Sequence, residues 1–345
     1  MLTAARTDGN SILTPGTGRQ SAPSGCLVAC PLHTPGMDER TATPASGGRT
    51  AGGIAFDDEG SGPALALVHA GVADRRMWSS LAGTMSAGYR VISHDVRGVG
   101  ESLPPTGPWS HHTDLLDLLD ELLITRAHVV GASIGAGIAV EAALARPSTV
   151  ASLILVAPGG ALLGEAPASF RPIWAAEVEA LDRGDIDGAV DINLRAWVDG
   201  PSRSPDAIDP EVRAFIGRMQ REAFEIPEWD AEHAPEHELA PPAAGRVREL
   251  TCPVLVVVGD ADDPVIVSLA EQIAGEAPRG RLVVLPGVGH MLNLEQPELF
   301  AGLLSRFLAD VTSGRFDGDP AEVPGSTGSD HETASDPSVP ATAAE

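Results

Sequence analysis

The sequence has no lysine. All 23 of its basic side chains are arginine, they face 48 Asp and Glu, and the formal net charge is −25. A chain this acidic repels nucleic-acid phosphates and anionic lipid surfaces, so neither is expected as a partner. Most of the charge belongs to the body: residues 51–310 carry −20, residues 1–50 carry +1 and residues 311–345 carry −6. Cysteine is almost as scarce. Cys26, Cys30 and Cys252 form neither a disulfide framework nor a metal-ligand spacing, which points to a reducing, cytoplasmic compartment. Leu27-Val28-Ala29-Cys30 looks like a lipoprotein cleavage box, but Ser, Pro, Gly, Gln and Arg precede it instead of a hydrophobic signal core, so export is not expected. Nor is there an apolar run near the ~18 residues that a membrane span needs.

What is present is a core-forming body between two polar ends. Hydrophobic residues make up 43% of the 345. Residues 1–50, rich in Gly, Pro, Ser and Thr, read as a disordered leader, with Met37 a candidate alternative start, and residues 311–345 read as a disordered acidic tail. Between them, short apolar runs alternate with helical patterns. Ile54-Ala55-Phe56 opens the sheet; Ala64–Val68, Tyr89–Ser93, Ala127–Val130 and Ser152–Val156 read as buried strands. Continuous apolar strands separated by helices argue for a mostly parallel sheet covered on both faces. From residue 159 to 245 the strand rhythm stops and three helical patterns replace it, the second opening at Asp185 and the third at Asp209-Pro210. The sheet resumes at Val254–Val258 and Arg281–Leu285, and Pro297 opens a last helix. The expected organisation is therefore α/β, with core segments 51–158 and 246–310 split by a helical insert, 159–245.

The most informative stretch is Gly131-Ala132-Ser133-Ile134-Gly135, which follows a strand and precedes a small-residue helix. That context is what a G-x-S-x-G nucleophile elbow requires: a turn tight enough to push the serine hydroxyl out of the fold, with glycines where a Cβ would collide. The helix N-terminus behind it offers N–H groups and a positive dipole end to a developing oxyanion. Two later strand ends also carry chemistry, Gly259-Asp260-Ala261-Asp262-Asp263 and Gly287-Val288-Gly289-His290. In a parallel sheet all three open on one edge, in the order Ser, Asp, His.

At this point the chain resembles the α/β-hydrolase fold family over roughly residues 51–310. His69-Ala70-Gly71-Val72 looks like that family's oxyanion loop, with Ala70 where glycine is usual. Asp95-Val96-Arg97-Gly98-Val99-Gly100-Glu101-Ser102 resembles its D-x-R-G-x-G-x-S turn. Within the family, the chain looks most like the cap-bearing esterase, enol-lactonase and cofactor-free haloperoxidase-like members. The resemblance implies Ser133 as nucleophile, His290 as base, Asp262 as its orienting acid, and the backbone N–H groups of Gly71 and Ile134 as the oxyanion hole. It also implies an α/β-hydrolase fold in which residues 159–245 form a helical cap. The expected reaction is cleavage of a small ester or lactone through an acyl-enzyme. A C–C bond hydrolase or lyase with the same triad is the enzymatic alternative, and a non-catalytic ligand sensor the alternative outside catalysis.

Several residues carry competing readings. Asp260 and Asp263 rival Asp262, which the G-x-x-D spacing favours. His69 reads as a loop organiser, and Asp95 with Arg97 as a structural ion pair. The insert tryptophans read first as packing within the insert, but Trp174 and Trp197 are candidates for a substrate pocket wall. Arg195, beside Trp197, is a candidate carboxylate clamp, with Arg213, Arg218 and Arg221 further along. No phosphate loop, dinucleotide fingerprint or metal spacing is present, so neither a cofactor nor a metal is expected.

Overall fold

The computed structural model describes residues 46–316 apart from residue 228 and residues 230–232. Cys26, Cys30, Met37 and the acidic tail from residue 317 onward lie outside the described residues. An eight-stranded sheet organises the rest. Its strands are β1 (Ser46–Arg49), β2 (Ala55–Gly60), β3 (Ala64–Val68), β4 (Arg90–His94), β5 (Ala127–Ala132), β6 (Val150–Val156), β7 (Val254–Gly259) and β8 (Gly280–Leu285), in the order β1-β2-β4-β3-β5-β6-β7-β8. β1 and β2 are antiparallel to their neighbours, and every pairing from β4 to β8 is parallel.

The central strands are apolar on both sides because both faces are covered. Alternate residues point to opposite faces of a strand. Ala64, Ala66 and Val68 of β3 join Leu153 and Leu155 of β6 in one core half. Helices α2 (His111–Glu121), α3 (Ile134–Ala145) and α7 (Pro264–Glu276) close that half with Leu115, Ile138 and Ile266. Leu65 and Leu67 join Ile154 and Val156 in the other half, under α1 (Ser79–Met85) and α9 (Pro297–Thr312), where Phe300, Leu304 and Phe307 are buried. Burial of each such side chain is worth about 1.5–3 kcal/mol. α3 sits against β5 and is buried on nearly every side, as its Ala- and Gly-rich sequence suits.

The folded body extends beyond residues 51–310 at both ends. Ser46–Arg49, expected in the leader, pairs with β2 as an exposed edge strand. At the other end α9 runs to Thr312, and Phe316 is buried against Phe307 with ring centroids 5.0 Å apart. One aromatic side chain carried this extension, too little to register as a periodic pattern.

Between β6 and β7 the chain builds α4 (Arg171–Asp182), α5 (Ile186–Leu194) and α6 (Pro210–Glu225), with α5 packed on both neighbours. The expected caps are in place: Asp185 accepts from the Gly188 N–H at 2.9 Å and Asp209 from the Glu211 N–H at 2.8 Å. α5 continues into a π-helical turn, Arg195–Asp199, of a kind frequent at functional sites. A short α8 (Leu292–Glu295) follows the loop that carries His290.

Candidate active site

Ser133 occupies the turn between β5 and α3 with φ 54° and ψ −116°, a conformation costing a non-glycine residue roughly 1–3 kcal/mol. The neighbours leave no cheaper route. A Cβ on Gly131 would lie 2.1 Å from the Gly135 carbonyl oxygen, and one on Gly135 would lie 2.5 Å from that of Val68. The backbone of Ser133 is pinned on both sides. Its N–H donates to the Val156 carbonyl at 2.9 Å, and its own carbonyl accepts from the N–H groups of Ala136 and Gly159, each at 3.0 Å.

Asp262 and His290 leave the ends of β7 and β8 and meet in the interior. His290 Nδ1 lies 2.8 Å from Asp262 Oδ2, and both residues are 4% exposed. The other Asp262 oxygen accepts from the Asp263 N–H at 2.7 Å, so the carboxylate is held at both ends. The rival acids are occupied elsewhere. Asp260 accepts from the Gly287 N–H at 2.6 Å, and Asp263 caps α7 by accepting from the Val265 N–H at 2.9 Å.

His69 is fully buried and spans two loops. Its Nδ1–H donates to the Ala70 carbonyl at 2.8 Å and its Nε2 accepts from the Val96 N–H at 2.9 Å, which fixes a neutral imidazole. Burial also holds its pKa below the ordinary histidine value. The expected Asp95–Arg97 ion pair does not form. Asp95 pairs with Arg75 and accepts from the Arg75 and Glu101 N–H groups at 2.9 and 2.8 Å. Arg97 donates to Asp114 at 2.7 Å and lies over the Trp109 ring. Proximity in sequence suggested a pair, but the Asp95–Ser102 turn sends the two side chains to different partners.

Ser133, His290, Gly71 and Ile134 all border one cavity of about 740 Å³, within the range of small-molecule sites. Helices α4 and α5 and the π-turn form its outer wall. Phe170, Trp174 and Trp197 line it as an aromatic cluster, with Phe170 5.9 Å from Trp174 and 5.0 Å from Trp197 between ring centroids. Trp197 also lies against His290, 5.3 Å between centroids. Trp174 and Trp197, the candidates for a pocket wall, both border this cavity.

Arg195 does not. Its side chain is 72% exposed, pairs with Asp191 at 2.7 Å, and is not among the residues lining the cavity. Residues two apart on a helical turn face opposite ways, so a neighbour of an inward Trp197 points outward. Arg213 and Arg221 pair with acids of the insert, Asp199 and Asp187 respectively, and Arg218 lies over Phe215.

Sequence reasoning missed Glu177 and Asn193, which face the cavity from α4 and α5. Both are buried, and Asn193 Nδ2 donates to Glu177 Oε2 at 2.6 Å. Burial pushes the Glu177 carboxyl above the ordinary carboxylate range. The available signal was helical spacing: Phe170, Trp174, Glu177 and Val178 fall on one face of α4.

Among the described residues no group of three or more His, Cys, Asp or Glu is arranged to hold a metal, and no helix is long and apolar enough to cross a membrane. Cys252 is buried, and its thiol is pushed up to about 11, which leaves little reactive thiolate.

Comparison with known proteins decides the family, because residues 65–303 match the alpha/beta hydrolase family. The chain belongs to the alpha/beta hydrolase family. It is 30% identical over 271 residues to BpoC, a bromoperoxidase-like protein of Mycobacterium tuberculosis, covering 75% of this chain and 98% of that one. It is 28% identical over 269 residues to a 2-hydroxy-6-oxononadienedioate/2-hydroxy-6-oxononatrienedioate hydrolase of Burkholderia vietnamiensis, covering 74% and 90%. Among solved structures, a thermophilic esterase from Thermogutta terrifontis with malate bound superposes with a TM-score of 0.61 at 26% identity, covering 79% of this chain and 96% of that one. Ser133, Asp262 and His290 follow the C-terminal ends of β5, β7 and β8, the edge at which open α/β sheets carry their sites.

Proposed function

We propose that the protein is a serine hydrolase that cleaves small esters or lactones through an acyl-enzyme. The observation that carries this reading is the His290 Nδ1–Asp262 Oδ2 contact of 2.8 Å, on the same cavity edge as a serine held in a strained turn. With Nδ1 engaged by Asp262, Nε2 is the nitrogen left to take a proton. Ser133 Oγ attacks the ester carbonyl carbon while His290 Nε2 accepts its proton. The negative charge moves to the carbonyl oxygen, where the N–H groups of Gly71 and Ile134 would receive it. Each such donor is typically worth about 10²–10³ in rate. Collapse breaks the bond to the leaving alcohol, which takes the proton from His290. Water then repeats the sequence on the acyl-serine, with His290 as base, and releases the acid.

A serine nucleophile disfavours alkyl-enzyme chemistry on halides. A C–C bond hydrolase acting on a dicarboxylate fits less well, because among the described residues no arginine borders the cavity. Helices α4 and α5 act as a cap over the site, with Trp174 and Trp197 as its apolar wall. A reducing, cytoplasmic setting suits the buried free thiol. Turnover of a panel of p-nitrophenyl esters and lactones, with intact-mass detection of the acyl adduct, tests the reading. Release of p-nitrophenol with a transient acyl mass is expected, and no turnover of any ester or lactone by the folded protein contradicts it.

A further inference from the structure

The cavity's charge is one-sided. Glu177 lies inside, Glu179 and Asp182 stand exposed at its rim, and among the described residues that border it the basic side chain is His290, with no arginine. Glu179 is ion-paired with Arg183 at 2.7 Å, away from the interior. Glu177 is different. It is 1% exposed, its hydrogen bond among the described residues is to the neutral amide of Asn193, and a carboxylate in that position is costly unless something offsets its charge.

Its two oxygens are not equivalent. Oε2 accepts from Asn193 at 2.6 Å, and Asn193 is itself fixed by donating to the Ala189 carbonyl at 3.1 Å. No described residue holds Oε1. Glu177 nevertheless borders the cavity, although as a whole it is almost entirely covered. A purely structural tie between α4 and α5 needs only the Asn193 bond, which a glutamine would supply as well. The rings of Phe170, Trp174 and Trp197 line the same wall, and aromatic faces attract cations.

We propose that Glu177 binds an ammonium group of the substrate, so that the ester cleaved at Ser133 carries an amine on the arm that reaches under α4. This substrate class rests on the hydrolase reading above. The ammonium donates to Glu177 Oε1, its methylene stem lies along Trp174 and Trp197, and the pair leaves the cavity close to neutral. The net charge of −25 draws such a cation toward the mouth. A carboxylate on the same arm meets the Glu177 carboxyl and is disfavoured.

The test compares p-nitrophenyl esters of an ω-amino acid, an ω-hydroxy acid, a fatty acid and a dicarboxylic acid of equal chain length. In the wild-type protein kcat/KM for the amino ester should exceed that for the neutral fatty ester by about tenfold or more, with the carboxylate ester slowest. Glu177→Gln should lower the amino-to-neutral ratio by about tenfold, since Gln keeps the Asn193 contact but not the charge. A preference for the hydroxy ester that survives Glu177→Gln, or equal losses on all four esters, overturns the ammonium assignment. The hydrolase reading is checked separately by turnover of the neutral ester. If that fails too, the proposal is still tested by binding: n-hexylammonium should raise the melting temperature of the wild-type protein where n-hexanol and hexanoate do not, and equal effects of the three refute it.

Discussion

One residue, Ala196, separates Arg195 from Trp197, and the π-turn that carries both points them in opposite directions. The indole packs 5.3 Å from the His290 ring, while the guanidinium, 72% exposed, pairs with Asp191. Arg195→Ala should therefore leave KM within about twofold for anionic and neutral esters alike, because exposed ion pairs are worth roughly 0–1 kcal/mol. A selective rise in KM for an anionic ester would restore Arg195 to the site.

Trp197→Ala should act the other way. It removes an aromatic wall shared by Phe170 and His290. Loss of about 1.5 kcal/mol of apolar contact raises KM for an aromatic ester roughly tenfold, and Trp197→Phe should recover much of it. Steady-state kinetics on the two variants decide this; a lower melting temperature with unchanged KM would make Trp197 a packing residue only.

Gly135→Ala separates the turn's geometry from its chemistry. The new Cβ would meet the Val68 and His69 carbonyl oxygens at 2.5 and 2.7 Å, backbone atoms that cannot step aside. The expected cost is about 1–3 kcal/mol in thermal unfolding together with loss of activity. Ser133→Ala should lose activity with almost no change in melting temperature, and equal destabilisation by both variants would contradict the elbow's assigned strain.

Stability should depend on pH through Glu236, whose carboxyl is pushed up to about 7 by burial and then by the charge of Glu141. In the unfolded chain it titrates near ~4.3, so the folded state holds the proton more tightly. The resulting stabilisation is fully present below about pH 4 and is lost as pH rises through about 7. Glu236→Gln should accordingly melt higher than wild type at about pH 8, by roughly 1–2 kcal/mol after allowance for a side chain that is 33% exposed, and the two should converge near about pH 4. Superimposable melting curves at both pH values would show that the carboxyl is not perturbed.

The fold was legible because its strongest signals are local. A continuous apolar strand, a glycine-flanked serine and a following small-residue helix are contiguous in sequence, and the Asp262 and His290 turns each announce themselves at a strand end. The ends of the body were less legible: Ser46–Arg49 joins the sheet as an exposed edge held by backbone hydrogen bonds, which leave no side-chain pattern. Partner choice was the least legible property. Asp95 found Arg75 across the fold instead of Arg97 beside it, and Arg213 found Asp199. Glu177 escaped notice because a carboxylate in a helix ordinarily faces water, and only the assembled cavity turns it inward.

The central claim is that His290, oriented by Asp262, activates Ser133. Labelling with a fluorophosphonate probe, followed by peptide mapping, tests it most directly. The account predicts a single adduct on Ser133, absent in Ser133→Ala, and slowed by about 10³-fold or more in a His290→Gln variant that still folds. A folded wild-type protein that does not label, or that labels as fast without His290, would contradict it.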